Sequence, residues 1–462
     1  MEACDVLVIG AGPGGLAAAA AAKKAGAGRV VILDRENAAG GILNQCIHDG
    51  FGLIRYGSSM GGPEYAARAA EEAGKAGAEL RTGLQAVSMT SDRVVTAQGR
   101  EGLVKFSAGA VVLATGCRER TRGNIGTPGS RPAGVFTAGV LQNFVNIRNF
   151  MCGKRVVILG SGDIGLIMAR RLTLEGAKVE LVAEVLPQPC GLARNISQCL
   201  NDFGIPLLVS HTVSRILGKH KLEAVEIAEA DTQLRPVPGT ERLIPCDALV
   251  LSVGLIPENE VAATGGVLLD EKNGGAATDA FLQTSVPGVF ACGNCRRVMD
   301  LADFVSEQGT LAGSNAAAFL QGRPMQAWQE GRGNTMVKGF PEPGSTTCPL
   351  CPNGCQVRFD AAAGTFSGNR CPRGAAFAAA ELKKPVRVLT TTLRLAAQPG
   401  ETGPARLVPV RSTRAVEKAL LPEAVSRLRG VTVDPPVRRG DILCTLSLGG
   451  QDIAFAAQTD VR

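Results

Sequence analysis

The 462-residue chain is poor in aromatics: one Trp, two Tyr and 15 Phe. Its cores must therefore be packed from Ala, Val, Leu and Gly. Histidine is scarcer still, and of the three, His211 and His220 read as ordinary surface or core residues. Long apolar runs are missing: the longest candidate, Leu16 to Ala22, is far below the ~20 residues of a membrane span, so no transmembrane segment is expected. The N-terminus, MEACDVLVIG, lacks the basic region of a secretory signal and runs straight into a strand. Fourteen cysteines without such a signal argue for reduced thiols in a cytoplasmic protein, where clustered cysteines serve as ligands or redox groups. The first 344 residues also lack net charge, with 33 basic and 33 acidic side chains; the whole +7 lies in residues 345–462, which hold 16 basic and 9 acidic ones. That region has only four aromatics, Phe359, Phe366, Phe377 and Phe455, not interleaved with its basic residues, which argues against a nucleic-acid partner.

What is abundant is glycine, 58 residues, and it is placed with purpose. The apolar run Val6–Ile9 reads as a buried parallel strand ending in Gly10, Gly12 and Gly15, a GxGxxG turn. An Ala-rich helix follows, then a second apolar run, Val30–Leu33, with Asp34 at its tip, 24 residues after Gly10. Each part serves dinucleotide binding. Gly10 makes the tight turn, Gly12 lets backbone approach a pyrophosphate, and Gly15 lets helix and strand pack closely. The acid accepts from a ribose hydroxyl, and the phosphates sit on the free N–H groups of the helix start.

The pattern recurs. KRVVILGSGDIG supplies Gly160, Gly162 and Gly165, and Glu184 stands 24 residues after Gly160. Equal spacing in two units predicts two dinucleotide sites. A carboxylate here bonds a free 2′-hydroxyl and repels a 2′-phosphate, which favours NAD(H) over NADP(H) at the second site. Between the turns, AVVLATG ends in Thr115 and Gly116, a second point of contact with the first cofactor. TSVPGVFACGN, with Gly293 and Asn294, precedes a helix from about Leu301 to Leu320. Cys46 and His48, in the glycine-rich loop after Asp34, are candidates for a catalytic thiolate–imidazole pair. Cys292 and Cys295 form a CxxC, but the residues between them are the Gly-Asn expected at the cofactor. Cys117, Cys152, Cys190, Cys199, Cys246 and Cys444 read as small buried apolar residues.

Near the end, Cys348, Cys351, Cys355 and Cys371 are spaced C-x2-C-x3-C-x15-C. Close cysteines on a Pro/Gly loop can turn three thiolates to one centre and take a fourth from a nearby turn. Four thiolates suit a 4Fe–4S cluster or structural zinc (Zn); a zinc ribbon more often shows two CxxC pairs. Arg370 and Arg373 flank Cys371 and would offset a cluster's negative charge. Lys383, Lys384, Arg387, Arg438 and Arg439 would be free to steer an acidic redox partner.

The order GxGxxG, ATG, GxGxxG and late TxxPGVFAxGN resembles the two-dinucleotide-binding-domain flavoproteins of the pyridine nucleotide–disulfide oxidoreductase superfamily, over about residues 1–322. The resemblance implies FAD on the first domain, with Gly293 and Asn294 beside its ribityl chain, and a nicotinamide cofactor on the second. It also brings out two departures. Asn294 stands where the superfamily has Asp. Leu43 and His48 stand where disulfide reductases carry their cysteine pair. The C-terminal cysteine segment is similar to the N-terminal 4Fe–4S segment of molybdopterin oxidoreductases, but about 90 residues follow, too few for a molybdopterin domain. Residues 345–462 also resemble a small cysteine-rich domain found beside flavin-dependent glycerol-3-phosphate dehydrogenases.

These readings predict an α/β protein with two Rossmann-like dinucleotide-binding domains, the second inserted in the first, plus a small C-terminal α+β cysteine-rich domain. The expected boundaries are 1–122 with 255–324 for FAD, 150–254 for NAD, 325–347 as linker and 348–462 for the iron–sulfur domain. The expected function is electron transfer between NAD(H), FAD and the C-terminal centre. Its partner would be a glycerol-3-phosphate dehydrogenase, another flavin dehydrogenase or another redox protein. The rivals are a flavin amine or opine oxidase component, and a flavoprotein with a zinc-stabilised docking module. Homo- and hetero-oligomers both remain open.

Overall fold

The computed structural model describes residues 1–329, 336–398 and 404–461. Of the expected linker, residues 330–335 lie outside the described ones. The chain forms two compact units, Met1–Arg118 with Leu255–Asn334 and Glu119–Gly254 with Thr335–Arg462.

The first unit is built on the opening strand, Glu2–Ile9. Val6, Leu7 and Val8 are fully buried because the strand lies inside a sheet covered on both faces. It runs parallel to Val30–Leu33 on one side and Gly102–Leu113 on the other, with Ile9 opposite both Leu33 and Leu113. Glu79–Arg81 extends the sheet beyond Val30–Leu33. The long Gly102–Leu113 strand takes the antiparallel Val94–Gly99 along its first half and the parallel Val289–Ala291 along its last three residues. The returning chain is thereby added to the first sheet. The helix expected from about Leu301 to Leu320 spans Ala302–Leu320, and a further helix spans Gly62–Lys75.

The shortage of aromatics is met by close backbone packing. The Pro13–Lys24 helix buries the unbroken run Ala17–Ala22. The Ala302–Leu320 helix lies so near it that a Cβ on Gly309 would fall 2.1 Å from the Gly14 carbonyl oxygen, and one on Gly313 1.9 Å from that of Ala18.

In the second unit, a five-stranded parallel sheet runs in the order Val135–Thr137, Ala248–Leu251, Arg155–Leu159, Lys178–Ala183, Leu207–Leu208. A three-stranded antiparallel sheet, His211–Leu217, Ala224–Glu229 and Arg242–Pro245, accompanies it. The C-terminal region is β-rich. Its five-stranded sheet contains Thr390–Leu395, Leu407–Ser412, Gln451–Ala457, Ile442–Leu448 and Thr432–Val433. The Leu421–Leu428 helix covers it with Leu421, Ala424, Val425 and Leu428, a stripe at helical spacing. The cysteine segment forms a smaller sheet, Ser345–Thr347, Gln356–Asp360 and Thr365–Ser367, followed by the helix Pro372–Lys383.

Within this unit the C-terminal region is tied to the parallel-sheet region. Leu174, at the end of the Asp163–Leu174 helix, shares an apolar cluster with Leu389, Leu393 and Val425. Arg171 is buried and donates to the Asn146 side chain at 2.9 Å and to Thr391 and Thr392 at 3.1 and 3.2 Å. Arg387, expected to be free for a partner, is instead 7% exposed and clasped by Asp202 at 2.7 Å and Glu381 at 2.6 Å. Lys418 adds a contact to Asp202 at 3.3 Å, and Lys384 is paired with Glu417. Apolar surface around a lone guanidinium would be costly; two carboxylates make its burial tolerable.

Candidate functional site

The first glycine turn is sterically determined. Gly10 has φ +105°, and a Cβ there would lie 2.4 Å from the Ala114 carbonyl oxygen. A Cβ on Gly15 would come within 1.8 Å of the Gly10 oxygen, so helix and strand meet only because both residues lack one. Gly12 differs: a Cβ would meet nothing within 4 Å. The chain does not need glycine there for its own packing, which leaves a bare stretch of backbone at the helix start. Asp34, mostly buried, accepts the Ala11 N–H at 2.6 Å and the Glu36 N–H at 2.8 Å.

The second turn repeats this. Gly160 has φ +96° and would place a Cβ 2.1 Å from the Ser252 oxygen. A Cβ on Gly165 would lie 2.7 Å from that of Ser252, and one on Gly162 3.1 Å from the Ser252 hydroxyl. Glu184, 4% exposed, accepts from the Ser161 N–H at 2.8 Å and hydroxyl at 2.6 Å, and from the Leu186 N–H at 3.0 Å. A segment outside the motif packs on this turn: the Cys190 N–H donates to the Ser161 hydroxyl at 2.9 Å and the Leu192 N–H to Asp163 at 2.8 Å.

Other expected residues gather in the first unit. The Thr115 hydroxyl donates to the Glu258 carbonyl at 2.6 Å, and Gly116, at φ +76°, has open space where a Cβ would stand. The Gly293 N–H donates to the Gln308 side-chain oxygen at 2.7 Å; Asn294 accepts the Met299 N–H at 3.0 Å and donates to Cys117 Sγ at 3.5 Å. Gln308 is buried, and its Nε2 has no hydrogen-bond partner among the described residues. A buried amide donor left over beside this loop fits a polar ligand. Gln308 lay outside the sequence signals because nothing in the pattern of its helix separates it from a packing residue. Asp303, also unforeseen, is buried in the first turn of that helix; burial pushes its carboxyl up, against the N–H groups of Arg55, Ile54 and Gly52 that lower it.

The cysteines divide by environment. Cys292 and Cys295 are buried, and burial pushes both thiols up; Cys295 Sγ is engaged by the carbonyls of Leu113 and Cys292 at 3.3 and 3.2 Å. They do not form a disulfide, and no cysteine of the chain does. Cys46 is buried at the end of the Gly41–Gln45 turn, where its carbonyl accepts the Gly62 N–H at 2.9 Å, and the His48 ring packs 4.9 Å from Phe51. Cys199 and Cys246 are buried as expected, their thiols pushed up to about 12 by burial, whereas Cys190 is exposed.

The family described as pyridine nucleotide-disulphide oxidoreductase matches residues 4–309, two thirds of the chain and both turns. The chain belongs to this family. It is an FAD-dependent pyridine nucleotide oxidoreductase with an α/β, two-dinucleotide-binding-domain fold. The thioredoxin reductase of Listeria innocua is 27% identical over 324 residues, 69% of this chain and 94% of the relative. One of the opine oxidase subunits of Agrobacterium tumefaciens is 27% identical over 344 residues, 69% of this chain and 66% of that one. Among solved structures, thioredoxin reductase from T. acidophilum is 26% identical with a TM-score of 0.57, covering 70% of this chain and 99% of that one. The bare Gly12 backbone, the open space at Gly116 and the unpartnered Gln308 amide suit the FAD of this oxidoreductase family.

A second family, described as a protein of unknown function (DUF1667), matches residues 372–454 of this oxidoreductase. It begins one residue after the last of the four C-terminal cysteines. Among the described residues, no three His, Cys, Asp or Glu side chains stand close enough to hold a metal ion. The Cys348 N–H donates to the Cys355 carbonyl at 2.9 Å. Burial, then the charges of Cys351, Cys355 and Cys371, push the Cys348 thiol up. Cys371 caps the Pro372–Lys383 helix, and the Gly374 N–H, with Arg373 beside it, holds its thiol below the usual range.

Proposed function

We propose that this enzyme passes electrons between NAD(H), FAD and a 4Fe–4S centre held by Cys348, Cys351, Cys355 and Cys371, and exchanges them with a redox partner protein. A flavin dehydrogenase, such as one acting on glycerol 3-phosphate, is the partner class favoured. What bound FAD supplies is the exchange between two-electron hydride chemistry and single-electron transfer. The chain's residues do the positioning. The Gly12 backbone and the N-terminus of the Pro13–Lys24 helix hold phosphate, Asp34 orients a ribose, and Thr115, Gly116, Gly293 and Asn294 line the flavin. Gly160, Gly162 and Gly165 take the second pyrophosphate, and Glu184 selects NAD(H) by refusing a 2′-phosphate. Cys46 and His48 are the candidates for handling a proton beside the flavin.

The observation that carries this reading is the link between the second turn and the cysteine segment. The Ala193 N–H donates to the Val337 carbonyl at 3.0 Å, the Gly339 N–H to Gly191 at 3.1 Å, and the Val337 N–H to Asn353, between Cys351 and Cys355, at 3.4 Å. The segment that packs on the nucleotide turn is thus bonded through Val337–Gly339 to the cysteine loop. The thioredoxin reductase relatives, by name, act on a redox protein, which supports a protein partner. Anaerobic purification with absorption spectrum and metal count is the test. Iron with acid-labile sulfide, lost in Cys355→Ser while FAD is kept, is expected; zinc alone would replace the electron-transfer centre by a structural site.

The likeness to an opine oxidase supports a second reading, amine oxidation at the flavin. An amine bleaching the flavin where NADH does not would favour it.

A further inference from the structure

We propose that a cavity beside Cys355 binds a small oxyanion-bearing molecule, a carboxylate or a phosphate, through Arg358 and Arg370. The cavity encloses about 360 Å³, within the range of small-molecule sites, and Cys355, Gln356, Arg358, Ser367 and Arg370 stand in its wall. Gln356 is held at both ends of its amide. Its oxygen accepts the Ser345 and Thr347 hydroxyls, each at 3.0 Å, and its nitrogen donates to the Gly354 carbonyl at 3.0 Å. This fixes a rigid floor. Gly368 has φ +85°, and a Cβ there would lie 2.2 Å from the backbone carbonyl oxygen of Gln356. The close approach brings Ser367 and Arg370 against that floor.

The wall carries two guanidiniums against one carboxylate, Glu342. Arg358 pairs with Glu342 at 2.8 Å, but the two side chains are 58% and 54% exposed. Such a pair is worth ~1 kcal/mol or less, so an incoming anion can replace the carboxylate. Arg370 is exposed and has no ion-pair or hydrogen-bond partner among the described residues. A guanidinium offers a planar fork of donors that fits both oxygens of a carboxylate or two of a phosphate. A molecule held there would rest against Cys355. The two guanidiniums are there whether or not the four cysteines hold a metal, so the proposal does not rest on the electron-transfer reading, although a bound cluster's negative charge would weaken the anion's binding.

Calorimetric titration of the full-length protein, loaded with FAD and saturated with NADH, tests this with inorganic phosphate and malonate as separate probes. At least one should bind, and the stronger identifies the oxyanion. Arg370→Ala should weaken that binding at least tenfold. Glu342→Gln, which removes the competing carboxylate and keeps the shape, should tighten it several-fold, and Lys383→Ala, outside the cavity, should leave it unchanged. Absence of binding by both probes, binding indifferent to Arg370→Ala, or weakening in Glu342→Gln would each overturn the proposal. Repeating the titration after chelation should give equal or tighter binding; binding that is lost with the metal would overturn the proposal.

Discussion

Asp34 and Glu184 accept the same two hydrogen bonds, one from the residue after the first glycine of the turn and one from two residues beyond themselves. The surroundings of the two turns differ. In the first unit the turn and its helix are gripped by backbone: Gly15 on Gly10, Gly309 on Gly14, Gly313 on Ala18. In the second, hydrogen bonds from Cys190 and Leu192 cover the turn, and that segment is bonded in turn to Val337–Gly339. One local motif thus serves a self-contained packing arrangement in one case and an attachment point in the other. The first unit should respond to added atoms, the second to lost charges.

Asp202→Ala should have the largest effect. It leaves Arg387 buried with Glu381 alone and removes the contact to Lys418. Breaking a buried pair from one side costs ~3–5 kcal/mol. Limited proteolysis should then cut the C-terminal region while FAD content stays at the wild-type level. FAD loss in this variant would contradict the independence of the first unit. Gly309→Ala is the converse. A Cβ 2.1 Å from a backbone oxygen forces the two helices apart, at ~1–3 kcal/mol or more, and FAD should be lost. Gly12→Ala, by contrast, meets no protein atom. It should leave the melting temperature of the FAD-free protein unchanged while FAD content falls.

Much of the fold was legible because the evidence for it is local. A strand, glycine turn, helix, strand and acid fall within 34 residues, and each constrains the next. The family resemblance needed only that this unit occur twice, with ATG between and TxxPGVFAxGN after. What the chain hid depends on distant pairs. Nothing near Arg387 announces Asp202, 185 residues earlier, so a surface role was the natural expectation for one basic residue among many. Cys190 resembles Cys199 in sequence, yet one lies on an exposed segment and the other in a helical core; composition cannot separate them. Gln308 became a site residue only when its helix was laid beside Gly293.

The buried thiols of the second unit give a pH test. Cys199 and Cys246 have folded-state values near 12 against an ordinary value of 9.0, so the folded protein holds protons that the unfolded chain releases. Their contribution is complete below pH 9 and is lost as pH rises from 9 to about 12, on the order of 1 kcal/mol per pH unit for each thiol. Denaturant titrations of the double variant Cys199→Ala/Cys246→Ala should show a flatter decline over that window than wild type. An equal slope would mean that neither thiol stays protonated.

Glu184→Gln should change least in stability and most in selectivity. The substitution keeps size and one oxygen acceptor. If that oxygen faces Ser161, the new NH₂ faces the Leu186 N–H, donor against donor, and if reversed it faces the Ser161 N–H. The first orientation loses one bond of three, ~1 kcal/mol; the second would lose both bonds that Ser161 donates, so the first is the one adopted. The negative charge, however, vanishes altogether. A nicotinamide cofactor carrying a 2′-phosphate would no longer meet a carboxylate, so the preference for NADH over NADPH should narrow by about tenfold, ~1.4 kcal/mol. Stopped-flow bleaching of the flavin by each nucleotide measures the ratio directly. Asp34→Asn is the matched control: it loses an equivalent bond at the first turn and should lower FAD affinity without moving the NADH to NADPH ratio. If the ratio moves in Asp34→Asn and not in Glu184→Gln, the two turns have been assigned to the wrong cofactors.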